Sequence, residues 1–292
     1  MERYQKGIIV GGTGLLYQAA DLLGQSGRVN QIELYFCNRN GFGKKQKETI
    51  RCRQLSGKKE LMDLLWQESE KTLVLSVMNP WLFTQEVLCN ENLLVVNLHH
   101  ALLPAHRGRN AEAWAIYEGD EKAGITWHKV DAGVDTGAVY LQKEMEVDDS
   151  MTSIKLLTRL NEAALEGLKE LLQEGFSQRE LIKQEPDGSC PHLAKEIPND
   201  GWLDLSWDLK QTSRFLRAMD YGIMNVLGSP KVRLGDGVYV CKSWRILESK
   251  EETKDGIEFS SEERKLCIRK EGTTILLKNM KKMESETDGN II

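Results

Sequence analysis

Three short, mainly apolar runs constrain the fold most: Gly7 to Val10 within KGIIVGGTG, TLVLSVM at 72–78 and LLVVNL at 93–98. None of them alternates apolar with polar residues. Each therefore reads as a strand covered on both faces, the pattern of a parallel sheet flanked by helices. The intervening stretches have helical spacing or further strand character. LLYQAADLLGQSG follows the first run, with Gly24 near its end, and IELYFCN at 32–38 adds a strand. KELMDLLWQES at 59–69 places Leu61, Leu64 and Leu65 on one helical face. This alternation over about the first 145 residues predicts an α/β, Rossmann-like fold with a mostly parallel sheet.

Two more strands are expected at GITWHKV (124–130) and AVYLQKEMEV (138–147), flanking the loop DAGVDTG. Thr152 to Leu172 has the clearest helical stripe: Ile154, Leu157, Leu160, Ala164, Leu165, Leu168 and Leu172. Ser150 or Thr152 can cap this helix and Gly175 can end it. From about 176 the chain turns polar and carries Pro186, Pro191 and Pro198, as a linker or strap would. A short helix over 207–221 follows. Then VYVCKSWRIL, GIEFSS, KLCIRKE and TTILLKN suggest four short strands of a small β-barrel or sandwich. The expected division is an N-terminal domain over 1–175, a linker over 176–206 and a small, β-rich, OB-like domain over 207–292.

Composition excludes several classes. A formal charge of −5 argues against a surface built wholly for nucleic acid. The six cysteines form no CxxC pair and no zinc-ligand spacing, which with the lack of a signal peptide predicts a reduced, cytoplasmic protein. No apolar run approaches the roughly 20 residues of a membrane span, so no membrane contact is expected.

Open α/β sheets bind ligands beyond the carboxyl ends of their strands. Asn97 and His99 lie there, on one side of the same strand, and Asp135 lies in the loop after a later strand. An asparagine amide can steady an oxygen that gains negative charge. Histidine moves protons near neutral pH, and a carboxylate can orient it and raise its basicity. The three together suit acyl-type transfer to an amine without a metal.

The segment NLHHALLPAHRG, followed by DAGVDTG from Asp131, resembles the signature of the 10-formyltetrahydrofolate-dependent formyltransferases, whose usual form is close to N-x-H-P-S-L-L-P-x-[YF]-x-G and then D-x-G-x-D-T-G. By position the family's Asn, His and Asp fall on Asn97, His99 and Asp135. His100, Ala101 and His106 depart from the usual proline, serine and aromatic, and none of these departures removes a catalytic group. The resemblance implies 10-formyltetrahydrofolate as formyl donor and a primary amine as acceptor. It implies that Asn97 stabilises the oxyanion, that His99 takes part in that and in proton transfer, and that Asp135 holds His99 and relays the amine's proton. It also places the pterin ring between a loop near Trp81, Leu82 and Phe83 and the backbone of Asp131, Ala132, Gly133 and Val134. IPNDGWLDLSWDLKQTSRFLRAM is similar to the linker and first C-terminal helix of two-domain members, those acting on methionyl-tRNA or on UDP-amino-arabinose.

The acceptor stays open between classes. RGRNAEAW at 107–114 looks more like amino-sugar formyltransferases than like the RGAAPI of the tRNA enzymes, and Arg109 suits a phosphate or carboxylate. The favoured acceptor is a small amine, either an amino sugar on a nucleotide or an amino acid on a carrier. Initiator Met-tRNA is the alternative. Basic stretches at 37–53 and 265–282 would serve a tRNA, although solvated charged faces explain them better. GGTG at 11–14 lacks the third glycine of a dinucleotide fingerprint, which excludes NAD; Gly12 and Thr13 could still touch an acceptor's phosphate at a helix N-terminus. Other readings are a non-catalytic folate-binding module and a hydrolase releasing formate. His106 and His128 are expected to be structural, and His100 to point away from His99.

Overall fold

The computed structural model describes residues 2–12, 14–37, 50–185, 190–235, 237–248, 254–270 and 272–283. The chain falls into two compact units that interleave along the sequence. The first comprises 1–111, 122–146 and 157–193; the second comprises 112–121, 147–156 and 194–292.

The first part of the chain runs β1 (Tyr4–Gly11), α1 (Leu15–Gln25), β2 (Val29–Phe36), β3 (Ile50–Gln54), α2 (Lys58–Trp66), β4 (Thr72–Val77), α3 (Gln85–Leu88) and β5 (Leu93–His99). It continues through α4 (Ala111–Glu118), β6 (Lys122–Lys129), β7 (Val139–Glu146) and α5 (Ser153–Glu174). The seven strands form one sheet in the order β3-β2-β1-β4-β5-β6-β7. The pairs from β3 to β5 are parallel, and β5-β6 and β6-β7 are antiparallel. The expected mostly parallel sheet is thus present, with a reversal of direction at β5. Both faces of the central strands are covered, as the mainly apolar runs require: every residue of β4 is buried, as are Ile8, Ile9 and Val10 of β1.

α1 covers the sheet with Leu15, Leu16, Ala19, Ala20 and Leu23, and α2 with Leu61, Met62 and Leu65. α5 buries Leu156, Leu160, Ala164, Leu168, Leu171 and Leu172, so its stripe includes Leu156 and Leu171 while the expected Ile154, Leu157 and Leu165 lie at its margin. Each fully buried leucine contributes roughly 1.5–3 kcal/mol. Ser150 is not the cap: its hydroxyl donates to Asp148 at 2.6 Å. Thr152 starts the helical ladder, its carbonyl accepting from the Leu156 N–H at 2.9 Å. The far end closes at Gly175, whose N–H donates to the Leu171 carbonyl at 2.8 Å. Arg28, only 3% exposed, donates to the Leu172 and Gln173 carbonyls at 2.7 Å each, supplying cation and donors where the helix leaves carbonyls unpaired.

β3 and α4 went unread in the sequence because neither shows clean periodicity. β3 falls in the basic stretch 37–53, of which 38–49 lie outside the described residues. Its Arg53 meets Glu60 at 3.3 Å, and Arg51 meets Glu33 at 3.9 Å.

In the second unit, α6 (Leu209–Ala218) is capped by Asp208, whose carboxylate accepts from the Gln211 N–H at 2.7 Å. Phe215 packs against Trp207 and Tyr117, with ring centroids 5.4 and 6.4 Å away. The strands that follow are β8 (Lys231–Leu234), β9 (Gly237–Val240), β10 (Ser243–Glu248), β11 (Gly256–Ser260), β12 (Lys265–Lys270), β13 (Thr273–Lys278) and β14 (Lys281–Lys282). They make a four-stranded antiparallel sheet, β10-β13-β12-β11, and a three-stranded one, β14-β9-β8. VYVCKSWRIL, expected as one strand, is divided between the two sheets. The break falls at buried Cys241, whose N–H donates to the Pro230 carbonyl at 2.8 Å and whose thiol donates to the Ser243 carbonyl at 3.1 Å. The second basic stretch is partly neutralised, since Arg269 meets Glu258 at 2.7 Å and Lys265 pairs with Glu263. No helix among the described residues is long and apolar enough to cross a membrane.

Candidate active site

Asn97 and His99 lie at the carboxyl end of β5, two residues apart and on one side of the strand. The reversal of direction at β5 sets His128 of β6 directly opposite Asn97. Asp135 comes from the β6–β7 loop. Its backbone is left-handed, with φ 53°, a conformation that short polar side chains tolerate better than most. Two residues on, a Cβ at Gly137 would stand 1.7 Å from the Lys129 carbonyl oxygen, so the loop closes only around glycine there.

These side chains meet in one cluster. Asp135 Oδ2 lies 3.5 Å from His99 Nδ1 and accepts the Gly108 N–H at 2.9 Å. Its Oδ1 lies 3.5 Å from His128 Nε2 and 3.4 Å from Asn97 Nδ2. The Asn97 amide also lies 3.1 Å from His128 Nε2, while His128 Nδ1 faces the Lys129 carbonyl at 3.0 Å. His99 Nε2 donates to the His106 carbonyl at 2.8 Å. Both nitrogens of His99 therefore face acceptors.

The electrostatics divide the roles. Burial works against the charge of Asp135, yet His128, His99 and the Gly108 N–H outweigh it and hold the carboxyl at about 2. Asp135 is a carboxylate at any ordinary pH. Burial pushes the His99 pKa down, opposed by the Asp135 charge and the His106 carbonyl. His99 Nδ1 and Asp135 Oδ2 stand 3.5 Å apart, with room for one proton between them.

Behind the strand, Thr126 organises the turn that carries the unusual His100 and Ala101. Its hydroxyl donates to the Ala101 carbonyl at 2.6 Å and accepts from the Leu103 N–H at 3.1 Å, and Gln142 donates to the Leu103 carbonyl at 2.8 Å. His100 is buried and its Nε2 has no hydrogen-bond partner. Burial, followed by the charge of His99, pushes its pKa down to about 3.

The loop after β4 is folded by Asn79, which accepts from the Trp81 N–H at 3.0 Å and donates to the Trp81 carbonyl at 2.9 Å. Trp81 and Phe83 pack against the core around Ile8, Val10 and Val74, and Leu82 is exposed. Asp131 shapes the opposite loop, accepting from the Gly133 N–H at 3.1 Å and the Thr136 hydroxyl at 2.6 Å; Ala132 and Gly133 are exposed and Val134 is half-buried. Arg109 donates to the Pro80 carbonyl at 2.7 Å, joining the loop after β5 to the loop after β4. Gly12 follows β1, and Thr13 lies outside the described residues.

The structure thus brings Asn97, His99 and Asp135 together and adds a residue that sequence reasoning assigned to structure alone. His128 touches both Asn97 and Asp135. Only the antiparallel β5–β6 register, which no local pattern announces, could have exposed it.

Residues 38–172 match the formyl transferase family model. The chain is similar to the GDP-perosamine N-formyltransferase of Brucella melitensis, 36% identical over 130 residues that cover 42% of this chain and 47% of that protein. It is also similar to the methionyl-tRNA formyltransferase of Clostridioides difficile, 28% identical over 211 residues, 68% of this chain and 64% of that one. The chain thus spans about half the length of the first of these relatives. In fold it resembles the N-formyltransferase from Helicobacter canadensis solved with folinic acid and dTDP-3-aminofucose, with TM-score 0.71 and 14% identity over 97% of this chain and 100% of that chain.

Proposed function

From the match to the formyl transferase family model, we propose that this chain moves the formyl group of 10-formyltetrahydrofolate to the primary amine of a nucleotide-linked amino sugar. One observation carries the reading: the buried carboxylate of Asp135 facing His99 Nδ1 at 3.5 Å, with the Asn97 amide beside it. As the amine nitrogen bonds to the formyl carbon, the carbonyl oxygen gains charge. Asn97 turns toward it the N–H that makes its longer contact, 3.4 Å to Asp135. The attacking nitrogen must lose a proton, and His99 takes it up between Nδ1 and Asp135 Oδ2, so that imidazolium and carboxylate share it. The same proton is returned to N10 of the folate as the bond from N10 to the formyl carbon breaks. The products are the N-formyl amine and tetrahydrofolate.

The backbones near Trp81, Leu82 and Phe83 and of Asp131, Ala132, Gly133 and Val134 are assigned to the pterin ring. Gly12, Thr13 and Arg109 are assigned to the acceptor. Arg109 spends one N–H on Pro80 and keeps others for a phosphate. A sugar-nucleotide acceptor is supported by the names of the Brucella and Helicobacter relatives and by RGRNAEAW.

The test is formyl transfer by the purified protein from 10-formyltetrahydrofolate to GDP- and dTDP-linked amino sugars, with Met-tRNA in parallel. Turnover on an amino sugar is expected. Turnover on Met-tRNA alone would replace the acceptor, formate release without any acceptor would point to hydrolysis, and folate binding without turnover would leave a binding module.

A further inference from the structure

Gln184 and His192 reach the two loops that frame Asp135. The Ile182 backbone pairs with Val139 through hydrogen bonds of 2.7 and 3.0 Å, continuing the sheet beyond β7. Two residues on, Gln184 donates its side-chain amide to the Asp135 carbonyl at 2.9 Å and to the Gly137 carbonyl at 2.7 Å. Among residues 181–185 it alone is half-buried while its neighbours are exposed. Further along the chain, the His192 N–H donates to the Arg107 carbonyl at 2.8 Å and the His192 carbonyl accepts from the Arg109 N–H at 3.0 Å. Between those two residues lies Gly108, whose N–H holds the Asp135 carboxylate.

The carbonyls that Gln184 grips are those of the left-handed residue and of the glycine two positions later. A left-handed aspartate persists only where its surroundings over-determine it. The Asp135 side chain inherits its direction from that backbone, and its contacts to His99 and His128 are already 3.5 Å long. A small rotation would lose them.

We infer that Gln184 is a positioning residue for the transfer reaction: its two amide hydrogens lock the carbonyls of Asp135 and Gly137 and so aim the Asp135 carboxylate at His99. This rests on the formyl-transfer reading for its kinetic consequences, but its geometry can be tested without it.

Gln184→Met keeps the side-chain length and removes both donors. In the variant, kcat should fall on the order of tenfold or more, as expected for a misaligned catalytic group, with KM for donor and amine held within about twofold. Groups facing the Asp135 carboxylate are His99 from β5, His128 from β6, the Asn97 amide and the Gly108 N–H. Losing their alignment raises the pH at which the carboxyl takes a proton, so the acid limb of kcat/KM should move upward in pH. A 13C titration of the Asp135 carboxyl between about pH 3 and 6 reads the same change without catalysis. Wild type should stay ionised across this range, and Gln184→Met should begin to titrate.

Wild-type kcat in the variant would overturn the inference. So would a loss of kcat accompanied by a lowered melting temperature and an unchanged Asp135 titration, since that marks a purely structural residue. If the wild type transfers no formyl group to any amine, the activity reading fails. The titration then decides the positioning role alone: a shifted Asp135 upholds it and an unshifted one overturns it.

Discussion

The two sides of the end of β5 place a histidine each in nearly the same degree of burial, and only one of them is equipped for chemistry. His99 and His100 are both 6% exposed. On the His99 side, one ring nitrogen meets the His106 carbonyl, the other faces a carboxylate, and an amide donor stands nearby. On the His100 side, Nε2 meets no hydrogen-bond partner, and burial has pushed the group far from protonation. Burial alone makes an inert imidazole. Burial with acceptors at both nitrogens makes one that can take a proton during a reaction and hold it.

The largest effect that would test this contrast is at His99. His99→Gln should lower kcat by about a thousandfold or more while the melting temperature changes little, since the loss is of proton transfer and charge stabilisation together. Steady-state kinetics beside a thermal melt measure it, and a variant within tenfold of wild type would collapse the distinction between the two sides.

Asn97→Ala should follow, with a loss of about a hundredfold in kcat, the usual cost of one oxyanion donor. Folate binding measured by calorimetry should persist. A large fall in folate affinity with kcat intact would make Asn97 a binding residue.

For His100, the expected change is in stability. A histidine held at about 3 when folded, against about 6.5 when unfolded, lets the unfolded chain bind the extra proton. Stability is therefore full above about pH 6.5 and is lost as pH falls toward 3, by about 2 kcal/mol already at pH 5. His99, whose pKa is also lowered, adds loss of the same sign. Asp135, held at about 2, adds none between pH 7 and 5, where it is ionised in both states, and adds loss of the same sign as pH falls below about 4. His100→Phe should flatten denaturant-derived stability between pH 7 and 5 and leave kcat unchanged. An unaltered slope would show that His100 is reached by protons in the folded state.

The smallest effect expected is at His128. His128→Leu leaves the Asn97 amide and one Asp135 oxygen short of a partner and should cost about tenfold in kcat/KM. Full activity in this variant would return His128 to the structural role its sequence context suggested.

Several parts of this picture were legible before any coordinates. The runs at 7–10, 72–78 and 93–98, apolar but for Thr72, Ser76 and Asn97, announced strands covered on both faces, because a half-exposed strand alternates polar with apolar residues. The amphipathic period from 152 to 172 announced α5, though Leu156 and Leu171 replaced marginal members of the stripe. Period 2 within LLVVNLH was enough to separate His99 from His100. β3, α4 and β8 escaped because short elements in mixed-polarity sequence carry no periodic signal. The break at Cys241 escaped because a backbone bond to the distant Pro230 and a thiol bond to the nearby Ser243 carbonyl hold it.

Residue order and type thus determined the strands, the long helix, and the shared strand side of Asn97 and His99, since these follow from local periodicity. The tertiary structure alone decided the rest of the site. It reversed the sheet at β5 to bring His128 opposite Asn97, folded Asp135 back from a loop with a left-handed turn, and laid Gln184 against that loop. Those contacts join residues 31, 36 and 49 positions apart, and chain separation of that size is closed by packing and hydrogen bonding that no local pattern records.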